Sequence, residues 1–376
     1  MPLEVIEAMA EPVRRGISNT GGSFVTSDEA GSLMREARVA VADYFNAASA
    51  DEVVFGQSMT NLTFAMSRAL ATEWNESDEI IVTDLDHDAN ITPWRRAADE
   101  RGVTVKTISF DPDSGALDMG QLETALTDRT RLVAVTCASN AVGSVTPMEG
   151  IVTMAHDAGA LVYADAVHYS AHRRLESARL GVDFVAASAY KFYGPHTGVL
   201  VARREHLERL PAYKVVPAPD TGPGKWETGT PAFEAIAGIT AAIDYLASLG
   251  DGDDRRARLD SAFSCIQAHE DLLSARFLAG VAEMPWITTH GVTTDGPGDR
   301  VSTFAITVDG ATPSEVAKKF GESGIYVWDG HYYAVAAMRR LGLLDSGGAV
   351  RIGFVHYTTE GEVDRALHLL DDFGRG

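Results

Sequence analysis

The chain has 376 residues, 45% of them hydrophobic, and 53 acidic against 32 basic side chains give a formal net charge of −21 at pH 7. That length and balance describe a globular protein with room for one large domain and a smaller one, and the acidity argues against nucleic acid as a partner, because phosphate backbones are repelled. Two cysteines, Cys137 and Cys265, build no disulfide framework, the start does not read as a signal peptide, and no apolar run reaches the roughly 18 to 20 residues that span a bilayer; a cytoplasmic protein with no membrane partner is expected.

Short β-rich runs recur through the first two thirds, at 53–55, 79–83, 103–108, 132–137, 161–164, 184–187 and 199–202. Several are almost continuous in apolar residues, the composition of strands buried on both faces. Helical stretches at 61–73, 92–101 and 148–158 lie between them, so the spacing predicts an α/β fold with a mostly parallel, doubly wound sheet of seven strands. A Pro- and Gly-rich segment, 211–231, interrupts this rhythm. Two long helices follow, 233–249 and 255–278, split by the acidic turn 250–254. The remainder reads as an α+β unit: strand 302–307, helix 314–323, strand 325–328, a loop, strand 349–353 and helix 360–372. The expected domains are a large one over 16–245 and a small one over 246–376, with residues 1–15 packing on the small one.

In open parallel sheets ligands bind beyond the carboxyl ends of the strands, and the chemically useful residues fall there. After 53–55 comes Gly56-Gln57-Ser58-Met59-Thr60-Asn61, opening a helix whose unpaired N–H groups suit a phosphate or are met by a Ser or Thr cap. After 79–83 comes Asp84-Leu85-Asp86-His87-Asp88-Ala89-Asn90, where His87 can lay its ring on an aromatic cofactor. The aspartates fail as a calcium loop, since Ala89 and Arg95 stand where glycine and glutamate are needed, and no other metal is expected. Asn140 offers an amide after 132–137. Asp165, with His168 three residues on, ends 161–164. Finally Ser188-Ala189-Tyr190-Lys191 follows 184–187. A partly desolvated lysine is nucleophilic and forms a Schiff base with an aldehyde cofactor, and a carboxylate that keeps a pyridine nitrogen protonated is what pyridoxal phosphate asks of its protein. Dinucleotide, Walker and zinc-protease motifs are missing.

These stretches, with Glu227-Thr228-Gly229-Thr230-Pro231 and Val350-Arg351-Ile352-Gly353, resemble the class V branch of fold-type I pyridoxal phosphate enzymes, the cysteine desulfurase-like proteins. The resemblance covers nearly the whole chain. It implies a large domain with the seven-stranded sheet and a smaller α+β C-terminal domain. It further implies that Lys191 binds the cofactor aldehyde and moves the substrate α-proton, that His87 stacks on the ring, that Asp165 pairs with the ring nitrogen, and that Asn140 and His168 face the ring oxygen. Met59, Thr60, Ser188 and Tyr190 would hold the phosphate. Thr230 would reach the phosphate of a neighbouring subunit in a homodimer, and Arg351 would clamp the carboxylate of an amino acid substrate.

The chain departs from the desulfurase pattern in three places. The loop Trp328-Asp329-Gly330-His331-Tyr332-Tyr333-Ala334 aligns with the one that carries their persulfide-forming cysteine, and tyrosine stands in its place. Cys137 in a strand and Cys265 in a helix read as core residues. His168 replaces a common glutamine, which also resembles kynureninase, and relatives usually have a further N-terminal stretch with a glycine-rich turn. The expected activity is therefore a lyase or transferase reaction on a small amino acid, foremost cysteine desulfurase-like or C–S β-lyase chemistry without a persulfide cysteine. Class V transamination and kynureninase- or epimerase-type reactions are the alternatives, ahead of a non-catalytic binding protein. His331, Tyr332 and Tyr333 read either as a substrate wall or as packing between domains.

Overall fold

The computed structural model describes residues 1–293 and 299–374. Residues 294–298 and 375–376, which the small domain was expected to include, lie outside the described residues. Seven strands form the main sheet: β1 (Val53–Gly56), β2 (Glu79–Thr83), β3 (Thr104–Ile108), β4 (Thr130–Thr136), β5 (Leu161–Asp165), β6 (Phe184–Ser188) and β7 (Gly198–Ala202). Their spatial order is β1-β7-β6-β5-β4-β2-β3. Strand β7 runs antiparallel to both neighbours and the other pairings are parallel.

Alternation along the strands sends successive side chains to opposite faces, and both faces are covered. On one side Val54, Ile80, Val82 and Leu132 meet Leu62 and Met66 of helix Met59–Ala71 and Trp94 of helix Thr92–Arg101. On the other, Val53, Phe55, Val133 and Val162 meet Ala37 and Val41 of helix Val25–Tyr44, Ile151 of helix Met148–Asp157 and Ile236 and Ile239 of helix Phe233–Ala247. Each such fully buried aliphatic or aromatic side chain contributes about 1.5–3 kcal/mol, which explains why the strands read as unbroken apolar runs.

A second sheet has the order β10-β11-β9-β8, from β8 (Ile287–His290), β9 (Thr303–Val308), β10 (Trp328–Gly330) and β11 (Ala349–Gly353), all antiparallel. Phe277 and Leu273 of helix Arg255–Ala282 pack on Phe304, Ile306 and Val350 of this sheet.

Several elements differ from expectation. Strand β8 and helix Val335–Arg340 were not anticipated, and β10 lies two to three residues beyond the expected run. The first helix, Leu3–Arg15, packs along Phe233–Ala247 and not on the small sheet; burial of Val5 and Pro12 on that amphipathic face supplies the reason. Cys265 is exposed on helix Arg255–Ala282, whose inward face is taken by Phe263 and Ile266, so it is not a core residue; Cys137 is.

Candidate active site

Strand pairing sets the site residues in register along one edge of the main sheet. Asp165 ends β5, pairing with Thr136 of β4 and Ala186 of β6. Two residues on, Ser188 ends β6 opposite Gly198, which in turn faces Gly56 at the end of β1. Gly198 is there for contact: a Cβ on it would lie 2.3 Å from the carbonyl carbon of Ser58. That closeness presses the start of helix Met59–Ala71 against the start of β7. Ser58 caps the helix, accepting from Asn61 N–H at 3.2 Å, with Met59 buried and Thr60 exposed behind it.

Lys191 sits on the single turn Ala189–Phe192 that leaves β6. Burial and then the Arg351 charge press its amine down to about 8, with Asp165 opposing. Asp165 is itself pushed up to about 6 by burial, while the Val167 N–H (2.8 Å) and Lys191 pull the other way. Burial moves both groups toward their neutral forms.

His87 caps the turn Asp88–Asn90, its Nδ1 accepting from Ala89 N–H at 3.0 Å. Burial, then Lys191, lowers it to about 4. It is neutral at pH 7, with its proton on Nε2. Beside it Asp86 is fully buried, accepting from Thr83 Oγ1 and, at 2.7 Å, from Asn90 Nδ2, and burial holds its carboxyl well above the usual range. Asp86 was missed as a site residue; its spacing in the sequence suggested only caps and a metal loop.

Arg351 on β11 joins the two sheets. Its Nη1 donates to Asn140 O at 3.0 Å, and its guanidinium lies 4.8 Å from the Tyr332 ring centre. Asn140 Nδ2 donates to Tyr332 O at 3.0 Å, Asp88 N–H to Tyr333 O at 2.8 Å, and the Tyr332 hydroxyl to Ala349 O. Tyr332 and Tyr333 both have left-handed backbone, φ 49° and 60°, which costs about 1–3 kcal/mol for each such residue. The Tyr333 ring, exposed at its outer face, stacks on His87 at 5.4 Å and 21°.

His168 reaches Thr303 Oγ1 at 2.9 Å, and burial keeps its imidazole well below the ordinary value. Tyr190 stacks on His196 at 5.1 Å. Thr230 is exposed and lines a cavity of about 420 Å³ with Gln57, Asn61 and His196. The strand ends thus bring together Lys191, Asp165, His87, Asn140, His168 and Arg351, with Met59, Thr60, Ser188, Tyr190 and Thr230 arranged along the β1–β7–β6 side. The loop that carries Glu227 and Thr230 is tied to β1 by Arg38: its guanidinium grips both Glu227 carboxylate oxygens at 2.8 and 2.7 Å, and Phe55 N–H donates to Glu227 at 2.9 Å. No sequence spacing links Arg38 to Glu227, 189 residues apart.

A seven-stranded, mostly parallel sheet with a lysine, an aspartate and a ring-stacking histidine at its carboxyl edge defines a fold-type I pyridoxal phosphate enzyme. The residues fit that cofactor on an observation independent of the family: Asn140 Oδ1 is buried with no hydrogen-bond partner among the described residues, an orphaned acceptor that a cofactor hydroxyl would satisfy. The aminotransferase class-V family model matches residues 1–366, and the chain belongs to that family. It is 32% identical to a cysteine desulfurase of Dickeya dadantii over 360 residues, 92% of this chain and 82% of that protein. An aminotransferase-like protein of Gibberella zeae is also 32% identical, over 93% of this chain and 85% of its own length. The apo structure of a cysteine desulfurase from Thermococcus onnurineus superposes with a TM-score of 0.90 at 26% identity, covering 100% of this chain and 92% of the other.

Among the described residues no helix is long and apolar enough to cross a membrane, and no cluster of His, Cys, Asp and Glu is built to hold a metal.

Proposed function

We propose that the chain is a pyridoxal phosphate-dependent lyase that removes a β-substituent, foremost a thiol or sulfide, from a small amino acid without storing sulfur on a cysteine of its own. The reading is carried by the loop that spans the site. Tyr333 stands over His87 in the segment that resembles the desulfurase cysteine loop, while Cys137 is sealed just past the end of β4 and Cys265 is exposed on helix Arg255–Ala282.

Pyridoxal phosphate, when bound, supplies an aldehyde for the substrate amine and a ring that takes up an electron pair from the α-carbon. The protein's part follows from its own groups. Arg351, a planar fork, binds the α-carboxylate and orients the amino acid. Lys191, held near 8, has a neutral fraction at pH 7 that takes the α-proton. Asp165 would keep a proton on the cofactor's ring nitrogen, and the neutral His87 would stack on the ring. Met59, Thr60, Ser188 and Tyr190 would hold the cofactor's phosphate from the β1–β7–β6 side.

A homodimer completes the site in this proposal, with Thr230 serving the neighbour's phosphate. Its support is the exposure of Thr230 and of Tyr213, Val215 and Val216 on the same irregular segment. Light scattering on the purified protein tests it: a dimer is expected, and a monomer that keeps cofactor and turnover overturns it. Two unpaired cysteines fit a cytoplasmic setting.

The deciding experiment is a substrate screen on the cofactor-loaded protein, following pyruvate, sulfide and keto acid together. Pyruvate with thiol or sulfide from cysteine or its S-conjugates is expected. Conversion of the cofactor to its amine form with keto acid release would establish the aminotransferase reading, which the Gibberella zeae relative favours. Cofactor binding without turnover across the panel would leave a binding protein.

A further inference from the structure

His168 belongs to the large unit, yet its hydrogen-bond partner comes from the small one. Its Nε2 lies 2.9 Å from Thr303 Oγ1 at the start of β9. Its ring meets His172 edge-on at 5.0 Å, and His172 Nδ1 lies 2.8 Å from Glu270 Oε2 on helix Arg255–Ala282. Thr303, His172 and Glu270 are all buried. Burial first, then the charges of His172, Lys191 and Arg351, hold His168 in its neutral form. A neutral imidazole carries one proton, and the partner at one nitrogen decides what the other can do.

Thr303 makes that decision. Its N–H donates to Val301 O at 2.7 Å and its carbonyl accepts from Arg300 at 2.7 Å, so its main chain is engaged elsewhere. Its hydroxyl makes no hydrogen bond other than the one to His168 among the described residues. Were His168 to donate from Nε2, the hydroxyl hydrogen would be buried without an acceptor, and an unmet donor is the costlier defect. With the hydroxyl donating, what is left over is its lone pairs and the His168 Nδ1–H, which has no partner among the described residues but, on a half-buried ring, is not sealed from solvent or a ligand. Nε2 is then the acceptor and the His168 proton resides on Nδ1.

We infer that Thr303 is a positioning residue: its hydroxyl donates to His168 Nε2, fixes the Nδ1–H form of the ring, and so makes His168 a hydrogen-bond donor to the ring oxygen of the cofactor. The role toward the cofactor rests on the function proposed above; the proton's location does not. Asn140 fits the same arrangement, since its partnerless Oδ1 can accept a hydrogen bond from that oxygen while His168 donates one to it. The small sheet thereby sets the polarity of a group at the large sheet's edge.

The test starts on the protein without cofactor. Long-range proton–nitrogen NMR of histidine-labelled protein reads the protonated nitrogen of His168 directly, with His168→Gln assigning the signal. The proton is expected on Nδ1 in the wild type and in Thr303→Ser, and partly or wholly on Nε2 in Thr303→Val. A wild-type proton on Nε2, or a Thr303→Val ring unchanged from wild type, overturns the inference whatever the cofactor does. In loaded protein, Thr303→Val should shift the pH midpoint of the visible cofactor band and lower kcat about tenfold, the loss of one hydrogen bond, with Thr303→Ser restoring both. A melting curve separates this from misfolding: a Thr303→Ser variant as stable as wild type that fails to restore the band midpoint also overturns it. Absence of any visible band in wild type would instead defeat the function proposal and leave the NMR result standing.

Discussion

The two sheets contribute to the site in opposite ways. At the edge of the main sheet each residue is delivered by a strand end: Asp165 by β5, Ser188 and Lys191 by β6, the helix start by β1. The strand register alone lines them up. The small unit delivers Arg351 from β11 and Thr303 from β9, but its tyrosines through a loop, 331–334, in which two consecutive residues take left-handed backbone and are held by Asn140, Asp88 and Ala349. A strand end is cheap to build and forgiving of side-chain identity. A strained loop is not, and persists because neighbours over-determine it. In the function proposed above, the sheet edge would supply the cofactor site, and the loop either a wall of the substrate's surroundings or packing between the units.

The largest effect should fall on the sheet edge. Lys191→Ala is expected to remove the borohydride-trapped lysine adduct and the visible cofactor band, and to lower turnover by about 10³-fold or more. Retention of the adduct would move the covalent site to another lysine and break the contrast outright. Next is the tie between β1 and the Thr230 loop. Arg38→Ala leaves Glu227, mostly buried, without its partner, and should cost about 3 kcal/mol of stability in urea unfolding, with cofactor affinity falling alongside. Unchanged stability would mean that the 227–231 loop is held by other contacts.

How far the sequence disclosed this molecule follows the same division. Most of the main strands were legible because they are buried on both faces, and Val53-Val54-Phe55 or Phe184-Val185-Ala186 permit little else; β3, at the sheet edge and largely half-exposed, was legible from its β-branched run Thr104-Val105-Lys106-Thr107-Ile108. Lys191, Asp165 and His87 were legible because each stands within four residues of the end of such a run. The small unit was less so. Ile287–His290 has one large aliphatic residue and is half exposed at a sheet edge, so no periodicity marks it as β8. Helix Val335–Arg340 is six residues long and follows two residues with positive φ, which nothing in Tyr332-Tyr333 announces. Asp86, Thr303 and Glu227 escaped because their importance lies in burial and in partners distant along the chain, His168 being 135 residues from Thr303. The resemblance to relatives could not replace that information, since it rests on the motifs that were already legible.

The loop can be tested by relieving it. Asparagine tolerates left-handed backbone better than tyrosine, so Tyr333→Asn should recover part of the strain while losing the stack on His87, worth about 0.5–1.5 kcal/mol. The two changes oppose, and folding stability should move by no more than about 1 kcal/mol. Selectivity across S-substituted cysteines should change several-fold, read as kcat/KM ratios. If instead stability falls by more than about 2 kcal/mol with selectivity unaltered, the loop is packing between the units and not a substrate wall.

The smallest effect, and the one that links the two regions, concerns pH. In the protein without cofactor Lys191 is lowered to about 8 by burial and by Arg351 from the small sheet, and Asp165 is raised to about 6 by burial. The attacking species is the neutral amine, whose fraction grows as pH rises through about 8. The Asp165 form that stabilises a protonated ring nitrogen is the carboxylate, which grows as pH rises through about 6. Both signs agree, so the rate of pyridoxal phosphate uptake should climb from pH 5 to 9 in two steps. Arg351→Gln removes the second-largest cause of the lysine shift and should move the upper step to higher pH, leaving the lower one in place. An upper step that does not move would mean that burial alone sets the lysine, and that the two sheets act on the cofactor independently.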